Sequence, residues 1–79
     1  MNVDVNGREA DVLFRRQRVI VELDGKDFHM DEEAFEDDRE RDAENLKHGH
    51  VTVRITQERF EGAPDYEGAR LLEILEDRD

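Results

Sequence analysis

The sequence predicts a small α/β domain of the α+β kind, a mixed sheet with helices packed on it, in the order β-β-β-α-β-α. Three observations predict it. The runs "VDVNGREADVLF", "VIVELD" and "VTVRIT" alternate apolar and polar residues with the period of half-buried strands. The charged run "DEEAFEDDRERDAENLKHG" carries the start and stop signals of a helix. The closing "APDYEGARLLEILEDRD" places leucines at helical spacing behind a proline.

The first two strands form a hairpin. Asn6-Gly7 is the preferred pair for a two-residue turn, because both central positions need positive φ. That turn sets Val5 opposite Arg8 and Val3 opposite Ala10. Val3, Val5, Ala10, Val12 and Phe14 then share one face, and Asp4, Glu9, Asp11 and Leu13 the other. "RRQR" (15–18) makes the next turn. With Arg16-Gln17 at its tip, Leu13 falls opposite Ile20, Asp11 opposite Glu22 and Glu9 opposite Asp24. Val19, Val21 and Leu23 continue the apolar face. A three-residue tip would invert every side chain and spoil both patterns, so the even register is expected.

Residues 31–49 read as a helix with Asp31 as its N-cap, Glu32 and Glu33 at its positive end, Lys47 and His48 at its negative end, and Gly49 as the stop. Its apolar stripe is thin: Ala34, Phe35, Ala43 and Leu46. In "HVTVRIT" Val51, Val53 and Ile55 share one face, Thr52 and Arg54 the other. "QERF" reads as a short helical turn. The last helix offers Leu71, Leu72 and Leu75 as apolar contacts. Gly68 weakens it by about 1 kcal/mol relative to alanine.

Composition narrows the classes of function. The 79 residues suit one small domain, which buries only roughly 60% of the surface its unfolded chain exposes. Without cysteine there is no disulfide and no thiolate metal site. No signal peptide or apolar membrane-length run is present, so a cytoplasmic protein is expected. The net charge of −11 repels nucleic acid at long range. Any nucleic-acid function therefore needs a metal ion, a local basic patch or a partner. The abundance of acids and scarcity of lysine fit a high-salt cytoplasm and codon bias equally.

Asp11, Glu22 and Asp24 are expected on one face of neighbouring strands, where like charges destabilise a sheet. A divalent cation resolves the conflict. Mg²⁺ and Mn²⁺ take oxygen ligands, commonly one or two carboxylates with water and substrate phosphate. Asp11 and Glu22 are the candidate metal ligands. Asp24 joins them at the sheet edge, and His29, five residues on, is a candidate general base or further ligand. A solvated acidic surface is the competing explanation in a chain with 23 Asp and Glu. For "EDDRER" it is a solvated helix face with local ion pairs.

The pieces in order resemble a known family. "ADVLF", "VIVELDGKDFH", "FEDDRERD" and "GHVTVRIT" are similar to V-D-F-L-W, V-V-E-V-D-G-x-x-x-H, F-x-x-D-x-x-R-D and G-x-x-V-x-R-x-T. That is the run of a domain-of-unknown-function family related to the very-short-patch-repair endonucleases, within the PD-(D/E)XK restriction-endonuclease-like superfamily. The resemblance spans Val3 to about Leu75. It implies a minimal restriction-endonuclease-like core and Mg²⁺- or Mn²⁺-dependent cleavage of DNA. It also implies that Asp11 is the first metal-binding acid, Glu22 the acid of the (D/E)-x-K element, and His29 the downstream histidine. Asp24 stands where many superfamily members carry lysine, and Lys26 lies two residues further along. Asp38, Arg41 and Asp42 match the charged helix pattern, as outer support for the site or as surface ion pairs. Arg54 matches the strand arginine, as a phosphate contact or a carboxylate partner.

The family carries a helix ahead of the hairpin, whereas this sequence opens on the hairpin. A second copy or a partner chain is therefore expected over the apolar sheet face. Three functions compete: a metal-dependent endonuclease, a catalytically lapsed interaction module of the same fold, and an acidic DNA mimic that occupies a basic partner.

Overall fold

The computed structural model describes residues 3–25 and 31–79. Its elements are β1 (Val3–Val5), β2 (Arg8–Ala10), β3 (Val12–Phe14), β4 (Val19–Asp24), α1 (Glu32–Lys47), β5 (Val51–Thr56), α2 (Gln57–Gly62) and α3 (Pro64–Asp77). The chain is the expected small α+β domain with a mixed sheet. β3 and β4 are antiparallel, and β4 and β5 are parallel across the α1 crossover, so β4 is the central strand.

Both expected registers are present. Val3 pairs with Ala10 and Val5 with Arg8, around Asn6 and Gly7 at φ 52° and 87°. Leu13 pairs with Ile20, and Val12 with Val21. One more step along that register brings Asp11 beside Glu22.

The expected second strand is broken, however. The chain bends at Asp11, and β1–β2 forms a separate two-stranded ribbon. The bend changes which face the ribbon serves. Val5 and Ala10 pack with Ile20 and Leu13, while Phe14 joins Val19, Val21 and Ile55 on the opposite side. The single apolar face expected for Val3, Val5, Ala10, Val12 and Phe14 is thus divided between two small cores. Val12 and Leu23 are left exposed.

The second core is closed by α3 through Leu71, Ile74 and Leu75. Leu72, expected as a contact, is exposed, and Ile74 takes its place. At 100° per residue, positions 71, 74 and 75 form one stripe, and 72 lies a quarter-turn away. "QERF" extends into α2, capped by Thr56, whose Oγ1 accepts from Arg59 N at 3.1 Å.

α1 begins and ends as its sequence indicates. Asp31 Oδ1 accepts from Ala34 N at 2.8 Å, and Gly49 closes the end at φ 88°. Its packing is the reverse of the expected stripe. Phe35 and Leu46 are exposed, while Asn45 is buried at 5% exposure and Asp38, Arg41 and Asp42 are half-buried. The helix lays its polar side on the sheet because β5 presents Arg54 there, and an ion-pair layer satisfies both surfaces. Asn6 Nδ2 donates to Asn45 Oδ1 at 3.1 Å, which ties the first turn to the same helix.

Candidate functional site

Strand alternation places Ile20, Glu22 and Asp24 of β4 on one face, with Thr52 and Arg54 of β5 beside them. Glu22 and Arg54 are register partners. Asp11 reaches this edge from the bend before β3, and its Oδ2 accepts from Leu23 N at 2.8 Å. The carboxylate therefore continues the ladder where β3 has stopped pairing. That bond fixes Asp11 next to Glu22.

The electrostatics show what this proximity does. Glu22 holds its proton to higher pH than an ordinary glutamate. Partial burial is the main cause, followed by the Asp11 charge, with Asp24 adding a smaller push; Arg41 and Arg54 oppose the shift. Carboxylate repulsion and desolvation outweigh the two guanidiniums. Glu22 therefore feels both of the acids expected beside it.

The guanidiniums are held by α1. Arg54 donates from Nε to Asp42 Oδ2 at 3.2 Å and from Nη2 to Asp42 Oδ1 at 2.8 Å, a bidentate pair. Asp38 lies 3.8 Å from Arg54 Nη1 and bonds Arg41 Nη2 at 3.1 Å. Burial works against the Arg54 charge, but the Asp42 hydrogen bond and the surrounding carboxylates more than offset it and raise its pKa. A cavity of about 230 Å³ lined by Phe35, Asp38, Arg39, Asp42 and Arg54 opens beside this layer.

Of the residues singled out in the sequence, Asp11, Glu22, Asp24, Arg41 and Arg54 come together, and Asp38 and Asp42 support the arginines from behind. For Arg54, the alternative of a carboxylate partner is the observed one. Lys26 and His29 lie outside the described residues. Among the described residues, no three His, Cys, Asp or Glu side chains converge as a ready-made metal cage. What converges is a pair of hard oxygen donors, Asp11 and Glu22, whose mutual repulsion a divalent cation would relieve. Mg²⁺ is ordinarily held by one or two carboxylates with its remaining positions on water or phosphate, so the donor set fits Mg²⁺ or Mn²⁺.

The inward role of Asn45 was not legible. An asparagine amid charges on a helix carries no periodic signal, and only the partner in the first turn explains it. The same holds for Glu67 of α3, which is 2% exposed and bonded to Arg59 and Arg70. Among the described residues, no helix is long and apolar enough to cross a membrane. No family model, no curated protein and no solved structure matches the chain.

Proposed function

We propose that the chain is a Mg²⁺- or Mn²⁺-dependent phosphodiesterase acting on DNA, an endonuclease of the very-short-patch-repair-like branch of the PD-(D/E)XK superfamily. The observation that carries this reading is the strained carboxyl of Glu22, raised by partial burial and by Asp11 at the edge of the central strand. A purely structural acid would more simply be paired with its register neighbour Arg54. Here that arginine is committed to Asp42.

In this reading Asp11 and Glu22 hold the cation, which serves as a Lewis acid towards a phosphodiester. Asp24 sets the negative potential that draws the cation in. Arg41 and Arg54, held by Asp38 and Asp42, favour the charged form of Glu22 against the neighbouring acids. His29 is the proposed proton acceptor, and Lys26 is a proposed outer support or phosphate contact.

Incubation of supercoiled plasmid and single-stranded DNA with Mg²⁺ or Mn²⁺ tests the proposal, with Asp11→Ala, Glu22→Ala and an EDTA control alongside. Nicking that needs the metal and disappears in both variants is the expected result. A folded wild type that never nicks DNA would overturn it.

A second reading has its own observation. Asp11 already serves β4 through the Leu23 amide, and the Arg54–Asp42–Asp38–Arg41 layer joins α1 to the sheet. A non-catalytic interaction module of the same fold would keep both contacts and need no cation. The acidic DNA mimic is the variant of this reading in which a basic protein is the partner. Absence of cleavage together with salt-sensitive binding to a basic protein would favour it.

A further inference from the structure

The cations of this acidic chain are unevenly placed. Among the described side chains, Arg41 and Arg54 belong to the acid layer, Arg59 and Arg70 to Glu67, and Arg39 lies 4.5 Å over the Phe35 ring. Arg15, Arg16, Arg18, Lys47 and Arg78 instead gather at the opposite end of the sheet, where β4 and β5 begin. The length of β4 separates them from Asp24 by about 17 Å, at the usual strand rise.

This end is assembled from three chain segments. Arg78, just past α3, donates from Nε to Gln17 O at 2.7 Å and from Nη2 to Gly49 O at 2.8 Å. It thereby staples the 15–18 turn to the end of α1. Arg18, at φ 59°, lies so close over Gly49 that a Cβ there would stand 2.8 Å from its Nη1. Val51 N donates to Arg18 O at 3.0 Å. The staple thus brings His50 beside Arg18 and Arg78, which are far from it in sequence.

Arg18 and Arg78 act together on His50 at this end, although the chain carries a net charge of −11. His50 loses its proton more easily than an ordinary histidine, first through burial and then through Arg18, His48 and Arg78. Acids share this end: the Glu44 carboxylate lies 3.8 Å from His48 Nδ1, both side chains being half exposed. Arg16 pairs with Asp79 at 2.9 Å while its side chain is 79% exposed. Such a surface pair is weak and readily exchanged.

We propose that the surface carrying Arg15, Arg16, Arg18, His48 and Arg78 binds the backbone phosphates of a single-stranded nucleic acid. Planar guanidiniums match phosphate oxygens two at a time. Their spread over an open edge suits a strand that runs past, more than one enclosed phosphate. The inference rests on the proposed nuclease function for its purpose: a strand held here is retained against the chain's overall repulsion. The binding itself needs no cation.

The test is fluorescence anisotropy of a labelled oligothymidylate with the full chain in EDTA, so that binding is read without cleavage. Contact with about three phosphates gives a slope of about −2 in log K against log salt. Arg15→Gln with Arg16→Gln, both at exposed positions, should weaken binding by about tenfold at low salt and flatten the slope. Amide and ring shifts of Gly49, His48 and His50 should move with the oligonucleotide in wild type and much less in the double variant. Three results would overturn the proposal: an unchanged affinity in the double variant, equal shifts with polyglutamate, or equal shifts with inorganic phosphate at the same phosphate concentration. Asp11→Ala and Glu22→Ala should bind as wild type. Absence of cleavage by the wild type with binding retained therefore removes only the nuclease reading.

Discussion

Glu22 of β4 and Arg54 of β5 face each other across the parallel pair, yet the guanidinium gives its bidentate bond to Asp42 of α1. The arginine thus couples helix to sheet, and the glutamate is left among acids. One residue joins helix to sheet, while partial burial and the neighbouring acids push the carboxyl of the other above its ordinary range.

Arg54→Leu removes the cation between Asp42 and Asp38 and leaves half-buried carboxylates without it. The expected loss is about 2–3 kcal/mol, the upper part of what a charged hydrogen-bond partner contributes. Arg54→Lys should recover part of it, because a lysine cannot reproduce the two-point contact. Urea unfolding with unchanged slope is the measurement. A loss under about 0.5 kcal/mol would mean that α1 is held by other contacts.

Glu22 gives a pH dependence with a definite sign. Its folded carboxyl titrates above the ordinary value of 4.5, so the native state binds the proton more readily than the unfolded chain. The favourable contribution is present below the unfolded value and is lost as pH rises through the folded one. Glu22→Gln should therefore be more stable than wild type at neutral pH, and the advantage should vanish in acid. Mg²⁺ should act in the opposite direction and lower the Glu22 titration. Carboxyl ¹³C shifts with and without Mg²⁺ check both statements. A Glu22 titration unmoved by millimolar Mg²⁺ would argue against a cation there.

The hairpin registers were legible because local chemistry decides them: Asn6-Gly7 fixes one turn, and the opposing alternation of Leu13 and Ile20 fixes the other. The bend at Asp11 was not legible. No glycine or proline marks it, and the alternation from Arg8 to Phe14 reads as one continuous strand. What breaks the strand is a long-range bond, the Asp11 carboxylate on the Leu23 amide. The inward face of α1 was hidden for the same reason. Periodicity counts apolar residues, and this helix packs through Asp38, Arg41, Asp42 and Asn45. Glu22 and Asp24 share a face by alternation alone, whereas Asp11 joins them from the bend through its bond to the Leu23 amide.

Asp11 has two roles that different substitutions separate. Asp11→Asn keeps an oxygen that can accept from Leu23 N but removes the charge. It should leave stability nearly unchanged and lower the Glu22 titration towards the ordinary value. Asp11→Ala removes both, so the Leu23 amide should exchange faster and stability should fall by about 1 kcal/mol. Both variants should lose metal-dependent cleavage. Hydrogen exchange at Leu23, read beside activity, distinguishes the structural bond from the proposed ligand.

Glu67 tests how a buried acid is tolerated in so small a core. Its side chain is 2% exposed, with Arg59 Nε at 3.1 Å and Arg70 Nη2 at 2.6 Å, and it fastens α2 to α3. Both arginines keep access to water, at 59% and 36% exposure. Removing the carboxylate therefore does not strand a buried cation; the arginines can turn outward. Glu67→Gln is the more damaging change, because the amide keeps one acceptor and directs an NH₂ group at an arginine in a site closed to water. It should cost about 2 kcal/mol, or a fall in Tm of about 10 °C for a chain of this length. Glu67→Met fills the same space without an unsatisfied donor and should remain within about 1 kcal/mol of wild type. Thermal unfolding of the pair decides the matter. If methionine proves worse than glutamine, a hydrogen-bond acceptor at position 67, and not packing alone, holds α2 in place.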